Sequence, residues 1–229
     1  MEPLEIFTVS EAWQAAFPGA HAGILALGGV SNPPHHQELE RQKQVLQEAL
    51  RARFAGQDRG AIQALAPIQA YNAYYKQFKK TYHVQLQLES VVFKGKDIPS
   101  VAALVEAMFM AEVRNMLLTA GHDLDTLQLP VTLEVSTGRE AYTLLRGQPQ
   151  TLKAGDMLMA DRAGVISSVL YGPDQRTQIN AGTQRVMFAV YAPARIDSQA
   201  VYGHLEDMRD NVRLVSPGAT VELLQVFGA

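Results

Sequence analysis

No cysteine occurs among the 229 residues, which excludes disulfides, thiolate nucleophiles and Cys-ligated zinc or iron–sulfur centres. Long apolar runs are also missing, since none reaches the roughly 18–20 residues of a membrane span. The opening MEPLEIFTV carries acidic residues where a signal peptide needs a basic start. A cytoplasmic protein is therefore expected. Neither sign of charge dominates: 20 Lys and Arg stand against 23 Asp and Glu, for a net charge of −3. Such a chain does not bind through a strongly basic field, although a local basic patch can still track phosphates. There is no Gly-x-Ser-x-Gly, no phosphate-binding glycine loop and no His-Glu-x-x-His, so elbow hydrolases, nucleotide-dependent enzymes and zinc proteases find no support. No cofactor is called for.

With 47% hydrophobic residues, the chain can build an ordinary core, and no linker or repeat divides it. A single α+β domain over residues 1–229 is expected, with helices packed on β-sheets. Residues 4–9 read as a short strand, and residues 22–30 as a second that ends at Ser31-Asn32-Pro33. Ser31 or Asn32 would cap a following helix whose apolar face includes Leu39, Val45, Leu46, Leu50 and Phe54, and whose other face is charged and solvated. Residues 61–80 are again helical, with Tyr71, Tyr74, Tyr75 and Phe78 at core spacings. Residues 84–93 fit a strand or a helix equally well. A helix opened by Pro99-Ser100 and running to about Leu118 is apolar nearly all round, which predicts burial. Strands are expected at residues 131–135 and 141–145, a helix over residues 198–211 and a closing strand over residues 219–227.

Residues 155–193 organise the rest. Alternating or continuous apolar residues predict two or three strands, joined by the polar connection that begins Tyr171-Gly172-Pro173-Asp174-Gln175-Arg176-Thr177. Polar segments held by rigid strands are where binding groups are commonly mounted. Arg176 could take a carboxylate or phosphate bidentately, Asp174 an amine, and Thr177 a carbonyl or water. Tyr171 and Gly172 flank them, and Thr183 can line the same region or serve as a turn residue. Equally, Gly-Pro-Asp is a turn signal and an Arg–Asp pair can be purely structural; Asp161 is expected to pair with Arg162. Lys76, Lys79 and Lys80 beside the tyrosines suit unpaired nucleic acid, or are a solvated face. His122, Asp123 and Asp125 suggest a metal, but three candidates within four residues do not close a coordination sphere; no metal is expected, and the aspartates are read as turn caps before Leu127.

Three segments together carry a resemblance. Ile98-Pro99-Ser100 is followed by Val105-Glu106; Asp123-Leu124-Asp125 lies eighteen residues after Val105; Ala160-Asp161 leads without a gap to Thr177 and Thr183. In order and spacing, over residues 66–193, they resemble the B3/B4 domain of the phenylalanine–tRNA ligase beta subunit, and more closely the free-standing bacterial proteins built from that domain. The resemblance implies an α+β fold with an RNA-related history. In ligases that edit, the domain is a hydrolase of tyrosine misattached to tRNA and uses a histidine and a glutamate. Those positions are Ala120 and Ala189 here, and Pro173-Asp174 replaces a glycine pair near the ligand.

A buried acceptor matched to the tyrosine hydroxyl rejects ligands that lack it, because the acceptor is then left unpaired. Without that acceptor, tyrosine-specific editing is not expected. The resemblance thus implies recognition of tRNA or aminoacyl-tRNA, with hydrolysis of another mischarged ester if Thr177 or Thr183 orients water and backbone N–H groups near Gly172 meet the oxyanion. The alternative is a non-catalytic small-molecule-binding or sensor protein that has kept the fold, with a small amino-acid-like molecule as one candidate ligand. A third reading is a structural interaction module with no ligand.

Overall fold

A computed structural model describes residues 6–229. In chain order the elements are β1 (Phe7–Val9), α1 (Glu11–Ala16), β2 (His21–Gly28), α2 (Gln37–Arg53), α3 (Arg59–Gln63), α4 (Ala66–Gln77), α5 (His83–Lys94), α6 (Ala103–Asn115) and β3 (Thr119–Asp123). There follow a short 3-10 turn (Leu124–Thr126), β4 (Val131–Val135), β5 (Ala141–Thr143), β6 (Pro149–Thr151), β7 (Met157–Asp161), β8 (Gly164–Ser168), β9 (Gly172–Pro173), β10 (Arg185–Ala192), α7 (Ser198–Val215) and β11 (Thr220–Gly228). The fold class is α+β. No described helix is long and apolar enough to cross a membrane.

Two sheets carry the architecture. One has the order β11-β2-β10-β3 and the other β1-β4-β7-β8-β9, with β5-β6 as a separate ribbon. Strand β10 is central to the first sheet and antiparallel to both neighbours. It is buried from Val186 to Ala192, which explains why its sequence is a continuous apolar run and not an alternating one. Helices α6 and α7 pack against each other and reach this sheet through β3 and β2. The approach of α7 is close: a Cβ placed on Gly23 would lie 2.6 Å from Val201 Cγ1. Helix α4 ties the sheets together through its tyrosines. Tyr71 donates to the Tyr191 carbonyl, Tyr75 to the Val169 carbonyl, and Tyr74 to Asp156, while Tyr71 and Tyr82 stack at 4.2 Å. These aromatics are core, as their helical spacing predicts.

Several boundaries differ from the expectations. Residues 4 and 5 of the first expected strand lie outside the described residues. The stretch over residues 84–93 is helix, closed by Gly95 at φ +63°; Val84 and Leu88 are buried on one side of it. The helix expected over residues 61–80 is two helices, α3 and α4. Strand β3 was not anticipated, because Thr-Ala-Gly-His-Asp has little β propensity and is held by pairing with β10. The cap of α2 is His36, whose Nδ1 accepts from Leu39 N–H at 3.4 Å, not Ser31 or Asn32. Asn32 is instead buried between elements: its oxygen accepts from Leu104 N–H at the start of α6, and its amide donates to the Asn180 carbonyl. Ser31 pairs with Ser216.

The expected solvated face of α2 also needs correction. Val45 is exposed, whereas Lys43 is buried and donates to Glu106 at 2.7 Å, Glu40 at 2.8 Å and Ser100 at 2.8 Å. The four groups join α2 to the entry of α6. Removing one partner of a buried pair leaves the other charge uncompensated, at a cost of about 3–5 kcal/mol. Lys43→Met is therefore expected to lose about that much stability in urea unfolding. Adding Glu106→Gln should recover part of it. Equal midpoints for Lys43→Met and the parent would show that the pair contributes nothing.

Candidate functional site

The polar connection after β8 is pinned to β3 by its own hydrogen bonds. Asp123 N–H donates to the Thr177 carbonyl at 2.8 Å, and Thr183 Oγ1 donates to Asp123 at 2.7 Å while accepting from Asn180 N–H. Thr177 is buried, with its hydroxyl donated to Asp174. Because that hydroxyl has one proton, His122 Nδ1, at 2.7 Å from it, must be the donor in their contact. His122 is fully buried and its Nε2 has no partner among the described residues. Burial and the nearby Arg176 cation push its pKa down to about 3. Arg176 grips Asp161 bidentately at 2.9 and 2.8 Å and stands 3.7 Å from Asp174.

The anticipated site residues are thus brought together, with most of their polar atoms paired internally. Asp161 pairs with Arg176 and not with Arg162; it also accepts from Gln128 and Ala163 N–H. Asp123 caps the 3-10 turn, as expected, whereas Asp125 pairs with Arg185 at 2.8 Å. His122, Asp123 and Asp125 therefore have separate partners, and no described group of three or more His, Asp or Glu could hold a metal ion.

Tyr171 and Gly172 are half-buried and lie outside this network, Gly172 on the wall of a cavity described below. Lys80 Nζ lies 4.2 Å above the Tyr171 ring, so a member of the lysine group joins the connection. Lys153 donates to the Phe78 carbonyl at 2.9 Å, which places it beside Lys79 at the end of α4. Lys76 is exposed one turn earlier on α4. Tyr171, Pro173, Leu144, Leu145, Arg146 and Gln148 line a groove of about 220 Å³.

Leu145 and Pro173 also wall a larger cavity, of about 430 Å³, between α5, α6, β3 and the connection. Its lining is mostly apolar and includes Val105, Met108, Phe109, Ala120 and Ile179. Ala120 and Ala189 are directly opposite in the β3–β10 register. The two positions at which the resemblance places a histidine and a glutamate are therefore neighbours, and both side chains end at Cβ. Gly121 allows the cavity wall to close in: a Cβ there would lie 2.8 Å from Ile179 Cδ1.

One ionisable group that sequence reasoning passed over enters this cavity. Glu112 of α6 lines it and is 2% exposed; Thr119 N–H donates to its Oε1 at 2.8 Å. Among the described residues no cation pairs with it, and burial raises its pKa to about 8. The signal was present in the sequence. A helix apolar enough to be buried all round carries Glu106 and Glu112, and each buried carboxyl needs an account. Lys43 supplies the account for Glu106 only.

No family model matches the chain, and no curated protein is similar to it in sequence. Among solved structures, the crystal structure of an N-terminal fragment of the phenylalanyl-tRNA synthetase beta subunit from Pyrococcus horikoshii is similar in fold, with a TM-score of 0.50 at 12% identity. The similarity covers all of this chain and 57% of that one. At that identity it is a likeness of fold.

Two outcomes follow from these charges. Arg176→Ala takes the cation from buried Asp161, whose pKa burial raises but the Arg176 contacts and backbone N–H groups lower on balance. A loss of about 2 kcal/mol is expected at neutral pH, shrinking as acid protonates the carboxyl; an unchanged denaturation midpoint at pH 7 would contradict it. Glu112 works in the opposite sense. The unfolded carboxyl ionises near 4.5 and the folded one near 8, so the folded state holds an extra proton between those values and loses stability as pH rises. Relative to the parent, Glu112→Gln should gain stability from pH 4.5 to 8, at up to about 1.4 kcal/mol per pH unit. Parallel stability–pH curves would refute the shifted carboxyl.

Proposed function

We propose that this protein recognises the aminoacyl end of a charged tRNA, with the amino-acid side chain in the cavity walled by Ala120 and Ile179 and the RNA end on the groove beside it. One observation carries the reading: the apolar cavity and the groove that holds Arg146 and Tyr171 share Leu145 and Pro173. A side-chain hole thus opens next to cationic and aromatic groups, with Lys80 on the Tyr171 ring. Cations that track phosphates beside aromatic rings suit a single-stranded end. The fold likeness to a phenylalanyl-tRNA synthetase fragment supports the same direction. The alanines at positions 120 and 189 favour an apolar side chain over tyrosine, since neither can meet a phenolic hydroxyl.

With a net charge of −3, the electrostatic footprint is confined to the local cations beside the groove. Binding of charged and uncharged tRNAs, measured by fluorescence anisotropy across a salt series, tests the reading. Each phosphate contact contributes about −0.9 to the slope of log affinity against log salt for duplex and about −0.7 for single strands. Lys79→Ala, Lys80→Ala and Arg146→Ala should each weaken binding and flatten that slope by roughly one contact. Ester hydrolysis is followed in the same samples. Salt-independent binding, or binding that all three variants leave unchanged, would replace the RNA reading with that of a small-molecule binder.

A further inference from the structure

Glu112 presents a chemical problem that the apolar cavity by itself does not solve. A buried carboxyl group with no counter-ion, on a mostly apolar wall, is costly to ionise and is retained at less cost as leucine or glutamine. One oxygen is satisfied by Thr119 N–H. Among the described residues the other accepts no hydrogen bond, and Glu112 lines the open cavity. Gln87 of α5 lines the same space, and its buried Oε1 has no hydrogen-bond partner among the described residues. The cavity wall is mostly apolar and carries two side chains with an oxygen left unpaired, one of them able to bear negative charge. Among the described residues no Lys or Arg lines it.

We infer that the cavity is a primary-ammonium site: a ligand enters with its –NH3+ against Glu112 and Gln87 and an aliphatic or aromatic body against Met108, Phe109, Ala120 and Ile179. An ammonium group has three donors and no acceptor, which is complementary to the two groups left open. An alcohol or an acylated amine supplies fewer donors and no charge. The inference rests on the proposed function in naming an amino-acid end, and it assigns the amine to Glu112, outside the connection in which ligand contacts were expected from sequence.

Binding moves one proton. The empty carboxyl is protonated below about pH 8; when the ammonium docks, Glu–CO2H ionises to Glu–CO2−, its proton passes to the buffer and the ligand keeps its own charge. The surrounding groups do not compete for that role. Tyr71 and Tyr75 of α4 and Tyr82 before α5 all lie close enough to feel the Glu112 charge, and burial raises their phenols above the ordinary range, so they stay neutral. His204 of α7, which contacts Thr119 Oγ1, is held neutral by burial, with a pKa lowered to about 4. His83 also lines the cavity, and desolvation lowers its pKa, which favours the neutral ring at pH 7.

The test is calorimetry at pH 7 with leucinamide, methioninamide and phenylalaninamide, each beside its N-acetyl counterpart, in buffers of different ionisation enthalpy. The free amines are expected to bind at least tenfold tighter than the acetylated ones and to release a proton. In Glu112→Gln, which keeps an acceptor for Thr119 N–H, the preference and the release should both vanish. Equal affinity for amine and acetylated amide, a preference that survives in Glu112→Gln, or no binding of any amine at millimolar concentration would each overturn the inference. The comparison within the parent protein decides even if the variant does not fold. Amine binding without salt-dependent tRNA binding would remove the RNA reading and leave this one. Salt-dependent tRNA binding without an amine preference would do the reverse.

Discussion

The cavity exists because the connection between β9 and β10 cannot leave β3. Main-chain pairing of Asp123 with Thr177, and side-chain bonds from Thr183 and Asn180 to the same aspartate, close the connection onto the strand end. Buried hydroxyls and carboxylates are expensive unless paired, so satisfying Asp123, Asp174 and Thr177 against one another also fixes where Gln178 and Ile179 lie. Those two residues wall the cavity. The polar network thus acts at one remove: its members are consumed by each other, and its product is a wall.

That division explains which parts of the site could be read from sequence. The residue types in 171–177 mark a polar segment between apolar strands, and the segment is there. What a one-dimensional reading does not contain is the partner of each group. Arg176 reaches back to Asp161 across the hairpin, not to a ligand by default, and Thr177 is turned inward between His122 and Asp174. Lys80 joins the connection only through its contact with Tyr171, a residue ninety-one positions later.

The fold was legible where one element's own residues decide it. Strands β2, β4 and β10 follow from continuous or alternating apolar residues, and α7 from its amphipathic pattern. It was illegible where distant residues decide. Strand β3 depends on its seat beside β10, and Asn32 looked like a cap for the next helix because its neighbours are turn formers. In the structure it serves a helix more than seventy residues downstream. Capping chemistry is local in type but does not have to be local in sequence.

The two glutamates of α6 show how a buried helix can distribute polar roles. Both are 2% exposed. Glu106 meets the Lys43 ammonium at 2.7 Å, so its charge is balanced within the fold and its effect is to join α2 to α6. Glu112, six residues on, meets a backbone N–H and then open space. Similar burial with unequal compensation separates a structural carboxyl from one that a cationic group from outside could complete. The ammonium that Lys43 supplies to Glu106 is the chemical type that Glu112 lacks.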